Sequence, residues 1–428
     1  MLVQDVRIFF ENDPVALFIA LVAIVAGIYA LSELKHFRRI FDILPTVFWV
    51  YFVPMLLATF GFFPESSPTF TFIRDYFLPT SLFLLFISVS IPELFKLGRR
   101  TLLVMFAAMA AIVLGSFCGV LVVIPFFKSG ALPAEHFESL WKGVAALSGS
   151  WSGGSANMAA VWESLTGPEK TPVEREIFAA MIAVDVCIAY PWMALLVALA
   201  AHQKRINGWL RADTTRIDEV NQRMQTLTAG QARHASTAKF LYMLALGLVT
   251  AYICLQLGAV LNAKIAAGIQ DPVWKSIFGA YAITIVLVTV AGLGFSMTPV
   301  AKLEGYGASK LGYVLLYIVL ARIGAQGNLN VIREFPAYLL MGVVWMLVHG
   351  LIILVVIKLL RAPLFFGVTA SQANVGGPVS APVVAAAHQP SLAVVGLLMA
   401  VVGNVFGTFT GLFIVAPVVH WLTRTFGG

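Results

Sequence analysis

Charged residues along this chain are clustered, and between the clusters lie about a dozen apolar stretches of roughly twenty residues. Each stretch is near the length that crosses a ~30 Å hydrocarbon layer. The pattern predicts spans over Pro14–Ser32, Phe41–Phe62, Tyr76–Ile91, Thr101–Phe127 and Ile177–Ala201. A second series is predicted over Phe240–Leu261, Ile277–Phe295, Leu311–Val331, Ala337–Val356 and Leu392–Val419. Two further segments, Gly143–Leu165 and Leu364–Ala387, are apolar but crowded with Gly, Ser, Asn and Pro, which rules out ordinary lipid-facing helices. Each precedes the last span of its series.

The one long polar stretch, residues 202–237, divides the chain into halves of similar plan, 1–201 and 238–428. Within it RADTTRIDEVNQRMQ reads as a surface helix. If each Gly-rich segment (143–165 and 364–387) is a full crossing, the halves share one orientation and this basic linker faces outside. If those segments re-enter or cross incompletely, each half has five spans, the halves are inverted and the linker is cytoplasmic. The inverted arrangement places seventeen Lys and Arg inside, including six from the linker and the adjoining Lys239, against ten outside, with Arg322 left within a span. That bias favours inverted repeats with both termini outside, expected in the cytoplasmic (inner) membrane of a bacterium.

Composition narrows the class. Of 428 residues, 60% are hydrophobic and 11% charged, about half the charged share of a soluble domain, and mean hydropathy is +0.89. An all-α polytopic membrane protein is the expected fold class. The net charge of +7 lies mainly in loops beside apolar segments, so it speaks of topology and of the lipid bilayer, not of nucleic acid. Cys118, Cys187 and Cys254 show no disulfide or metal-ligand spacing. The N-terminal MLVQDVRIFFENDP lacks a basic region and a cleavage site, so the first apolar stretch reads as a retained span.

Set one above the other, the broken segments read SGSWSGGSANMAAV (148–161) and SQANVGGPVSAPVV (371–384). The pairs Gly153-Gly154 and Gly376-Gly377 coincide, Ser148 falls on Ser371 and Asn157 on Ser380. Each is followed by a span with one strongly polar residue, Asp185 or Asn404. A Gly pair inside an apolar segment breaks a helix at membrane depth and frees N–H groups on one half-helix and C=O groups on the other. Such groups are tolerated where they line a cavity or meet ligands, with N-termini favouring anions and C-termini cations. Pro378 suits the first position of a helix, where its missing N–H costs nothing.

These paired segments, the polar residue in the next span and the two-half plan resemble the YjcL-like membrane family. That family is grouped with the cation:proton antiporter and anion transporter superfamily, beside sodium:glutamate symporters and sodium-coupled bile acid transporters. The resemblance implies broken segments crossing near the midplane of a mobile core domain, a scaffold with a homodimer surface formed by the other spans, and elevator-like transport.

Asp185 is read as the only carboxylate well inside a span, since Asp42, Asp75 and Glu93 fall at span ends. A charge at helix centre costs roughly 2.5 to 3.5 kcal/mol on insertion scales, so it faces a partner or a watery cavity. It either binds a coupling ion, Na⁺ or H⁺, or is protonated and hydrogen-bonded for packing. Asn404 and Thr408 lie at i, i+4 on one face, beside Gly403, Gly407 and Gly411, a spacing that first suggests close helix packing. Arg322 either pairs with Asp185, holds a substrate carboxylate or phosphate, or snorkels from a slipped span end. His349 reads as a structural hydrogen-bonding group.

The candidate site therefore takes Asp185, Asn404 and Thr408 for the ion. For the solute it takes Ser148, Ser150, Ser152, Gly153, Gly154, Ser155, Asn157, Thr369, Ser371, Gln372, Asn374, Gly376, Gly377, Ser380 and Arg322. No cofactor is expected, and no metal beyond Na⁺ at Asp185. The chain contains no Walker loop or nucleophile constellation, so it is not read as an enzyme. The function expected is Na⁺- or H⁺-coupled symport of a small organic anion, amino acid or small peptide. Cation:proton antiport is the near rival, and a non-transporting receptor or assembly partner the rival of another class.

Overall fold

The computed structural model describes residues 2–43, 46–215, 217, 236–329 and 335–426. Helices supply every regular element among them. Eight are long and apolar enough to cross a membrane, or nine when Ala280–Ser296 is joined to the sharply bent turn Pro299–Tyr306. The surface helix expected over residues 211–225 falls largely outside the described residues.

Helix starts follow local chemistry. The helix Pro172–Ala198, which carries Asp185, opens on a capping box: Thr171 accepts from the Glu174 N–H, the Glu174 side chain accepts from the Thr171 N–H, and Pro172 opens the first turn. Asp13 caps Pro14–Glu33 and Ser236 caps Thr237–Ile265, each through a side-chain oxygen that accepts from N–H groups of the first turn.

Two predicted spans shift. The one expected at Tyr76–Ile91 runs over Pro68–Ile87, because Ser67 caps a helix that Pro68 opens and because Arg74, counted as a loop residue, is buried inside it. Ile73–Phe77 forms a π-helical turn there. The span expected at Leu311–Val331 is the helix Ala308–Ala325, which stops before Gln326 and Gly327. Arg322 sits in its last turn, yet it is fully buried, so it does not snorkel to an interface.

Each series runs through three apolar helices, a fourth long helix, a broken pair and a further long helix, although Thr46–Thr59 in the first series is shorter than a spanning helix. They also pack reciprocally. Thr46–Thr59 of the first series lies on Ala308–Ala325 of the second, and Ala280–Ser296 lies on Pro68–Ile87. Arg99–Lys128 packs along Phe335–Leu359, where Gly115 and Gly119 admit Trp345 and Met341. The final helix of each series crosses the broken pair of the other.

Candidate functional site

Both Gly pairs end a helix as their residue types require. Ala134–Gly153 stops at Gly154, whose φ of +87° is in the region that favours glycine, and Ser155–Leu165 begins at once. Leu364–Val375 stops at Gly376, and Gly377–His388 starts at Gly377, φ +64°, with Pro378 in its first turn. The breaks meet. A methyl group added at Gly377 would lie 3.6 Å from the Gly154 Cα, and one at Gly154 would lie 3.9 Å from Asn404 Oδ1.

A glycine stripe holds the final span against this meeting point. A methyl on Gly403 would lie 2.5 Å from the Ser152 carbonyl oxygen, one on Gly407 3.1 Å from that of Gly149, and one on Gly411 2.8 Å from that of Ala145. Asn157 fastens the same junction: its Nδ2 donates to the Gly153 carbonyl (2.8 Å), and its Oδ1 accepts from the Thr408 N–H (3.0 Å) and hydroxyl (2.6 Å).

A cavity of about 520 Å³ opens at the crossing. Ser150, Gly153, Gly154, Ser155, Asp185, Gln372, Gly376, Gly377, Ser380 and Asn404 from the sequence reading line it. The facing wall comes from Tyr51 and its neighbours and from Tyr313 and Tyr317 of Ala308–Ala325. Its size is within the range of small-molecule sites. Ser148, Ser152, Asn157, Thr369, Ser371, Asn374, Thr408 and Arg322 do not line it.

Asp185 is half-buried on this cavity. Ser150 Oγ donates to its Oδ2 at 2.8 Å and Trp151 Nε1 to its Oδ1 at 2.7 Å. Trp151 is held in turn by Trp345, with ring centroids 4.7 Å apart. Two donors leave the carboxylate with lone pairs to spare, facing the cavity. On the second broken segment Gln372 Nε2 donates to Ser380 Oγ (2.7 Å), while its buried Oε1 meets no protein donor. Ser371 accepts from Trp192 Nε1 (2.8 Å) and pairs with His349 Nε2 (2.9 Å), so His349 links two helices as expected. The hydroxyls of Ser148, Ser152 and Thr369 and the amide oxygen of Asn374 are buried without partners.

Arg322 does not reach Asp185. Its Nη1 meets Glu163 Oε1 at 2.5 Å, and Glu163 is itself fully buried in the half-helix Ser155–Leu165. Asp185 is thus not the only deep carboxylate. Glu163 Oε2 also accepts from Arg74 Nε (3.1 Å) and Lys170 Nζ (3.0 Å), and Arg74 Nη2 donates to the Glu163 carbonyl (3.0 Å). Arg74 Nη1 pairs with Asp75 at 3.0 Å, and its guanidinium stacks 3.6 Å from the Tyr281 ring centroid. The cluster ties a half-helix to three surrounding spans. Sequence reading missed it because Arg74 and Lys170 passed for loop charges and Glu163 lay in a segment treated only as broken; an acid inside an apolar run was the signal present.

The chain is a polytopic α-helical membrane protein whose two broken helices meet at an internal cavity. It belongs to the family described as Protein of unknown function (DUF819), which matches residues 20–420. It is also similar to Uncharacterized membrane protein YjcL of Bacillus subtilis (strain 168), at 23% identity over 365 residues, or 83% of this chain and 86% of that protein.

Proposed function

We propose that the protein is a secondary active transporter in which H⁺ or Na⁺ bound at Asp185 is coupled to passage of a small solute through the cavity at the crossing. One observation carries the reading: two helix breaks from separate halves meet so closely that a methyl group on Gly377 would lie 3.6 Å from the Gly154 Cα, beside a half-buried carboxylate. Spans broken at depth belong where irregular backbone lines a solute site, and a deep carboxylate is an ion or proton site by default. In this reading the halves are inverted repeats. The broken pairs with Pro172–Ala198 and Ala393–Phe409 move as a core against a dimeric scaffold, in an elevator cycle. The likeness of the broken segments to the cation:proton antiporter and anion transporter superfamily supports the same plan, with both termini outside a bacterial inner membrane.

Vesicles reconstituted with the protein and loaded with a pH-sensitive dye separate this reading from cation:proton antiport. Under a Na⁺ gradient, amino acids or dipeptides are expected to be required for proton or ²²Na⁺ movement. Collapse of a pH gradient on adding Na⁺ or K⁺ alone assigns antiport instead, and no cation movement under either condition assigns a receptor or assembly role.

A further inference from the structure

We infer that the solute is an amine: a protonated nitrogen on an apolar or aromatic body, docking at Asp185. The inference deepens the transport reading and rests on it.

Charge comes first. Among the described residues lining the cavity, Asp185 is the one formally charged side chain; no Lys, Arg or His is present. The arginine that would receive a carboxylate, Arg322, is buried elsewhere against Glu163. An anionic solute would therefore meet a carboxylate with no opposing side chain, aided only by the fractional positive ends of two half-helices, about half a charge each. A cation meets a full negative charge in a partly desolvated site.

Hydrogen-bonding capacity agrees. The lining offers the spare lone pairs of Asp185 as acceptors in want of donors; Gln372 and Tyr51 also line the cavity, with the unpartnered Gln372 Oε1 and Tyr51 hydroxyl buried beneath its surface. An ammonium brings up to three donors and no acceptor. Aromatic faces supply the remainder. Phe48, Tyr51, Tyr190, Tyr313 and Tyr317 line the cavity, with the Tyr313 and Tyr317 rings 6.1 Å apart at 23°. Rings attract cations through their quadrupole and take up apolar bodies. The half-helix N-termini at Ser155 and Gly377 accommodate a carboxylate beside the amine, so amino acids stay within the class.

One carboxylate serving both ligands has a consequence for coupling. The amine and the proton or Na⁺ exclude each other at Asp185, so the cation leaves as the amine enters, and the cycle runs as exchange.

Three probes sharing one ring system test the inference by thermal unfolding of the purified full chain: tryptamine (amine alone), tryptophan (amine and carboxylate) and indole-3-propionate (carboxylate alone). Tryptamine and tryptophan are expected to raise the midpoint, indole-3-propionate to leave it unchanged, and Asp185→Asn to weaken tryptamine binding about tenfold or more. Stabilisation by indole-3-propionate equal to that by tryptamine overturns the amine assignment while leaving the transport reading intact. Absence of stabilisation by any probe overturns it as well. The transport reading fails separately, in the vesicle assay, when no solute moves a cation.

Discussion

Asp185→Asn is expected to abolish solute-dependent cation movement in reconstituted vesicles, to the level of protein-free vesicles, while the protein still folds. Ser150 and Trp151 both donate to this carboxylate, so an amide, with one acceptor oxygen and one NH₂, leaves one donor facing a donor. That mismatch costs about 1 to 3 kcal/mol. Removing a charge from a half-buried position works in the other direction, by part of the ~2.5 to 3.5 kcal/mol that an Asp costs at helix centre, since the amide keeps its own polar cost. The two terms oppose each other, so the thermal midpoint moves little. The exchangeable cation site is nevertheless gone. Flux equal to wild type in the variant would remove Asp185 from the coupling mechanism.

The largest loss of stability is expected from Glu163→Gln. Glu163 is the fully buried carboxylate that Arg74, Lys170 and Arg322 share, and neutralising it leaves three cations with Asp75 as the remaining acid. Breaking a buried ion pair by removing one partner costs about 3 to 5 kcal/mol, because the other charge is stranded. Arg322→Met is expected to cost much less. It leaves Glu163 with two cationic partners and removes a guanidinium whose Nε and Nη2 are buried without acceptors. Thermal unfolding in detergent should rank Glu163→Gln well below Arg322→Met, and the reverse order contradicts the charge balance described for this cluster.

Much of this arrangement was legible in the chain, for reasons tied to individual residues. The two Gly pairs announced breaks because two consecutive glycines among Ser, Asn and Pro leave an apolar run without the side chains that hold a helix, and both breaks occur at the pairs. The glycines at 403, 407 and 411 announced close packing, and each sits where a methyl would strike a backbone carbonyl or a side chain. The partners of charges were not legible. Arg74, Lys170, Glu163 and Arg322 are separated by up to some 250 positions, and a hydropathy reading assigns an isolated charge near a span end to water. Only tertiary packing shows that the four share one dry pocket. The cavity's aromatic wall was hidden likewise, because Tyr51, Tyr313 and Tyr317 are unremarkable in their own helices and converge only when Thr46–Thr59 packs on Ala308–Ala325.

Alternating access of the cavity can be measured without knowing the solute. Val379 lies one residue past Pro378, lines the cavity and is 66% exposed. With Cys118, Cys187 and Cys254 replaced by Ser, Val379→Cys offers one thiol at the crossing to a membrane-impermeant maleimide applied to either face of oriented vesicles. Labelling is expected from both faces, with Na⁺ or protons lowering it on one face while raising it on the other, and the response is expected to be lost when Asp185→Asn is added. Labelling from one and the same face under every ionic condition would contradict alternating access.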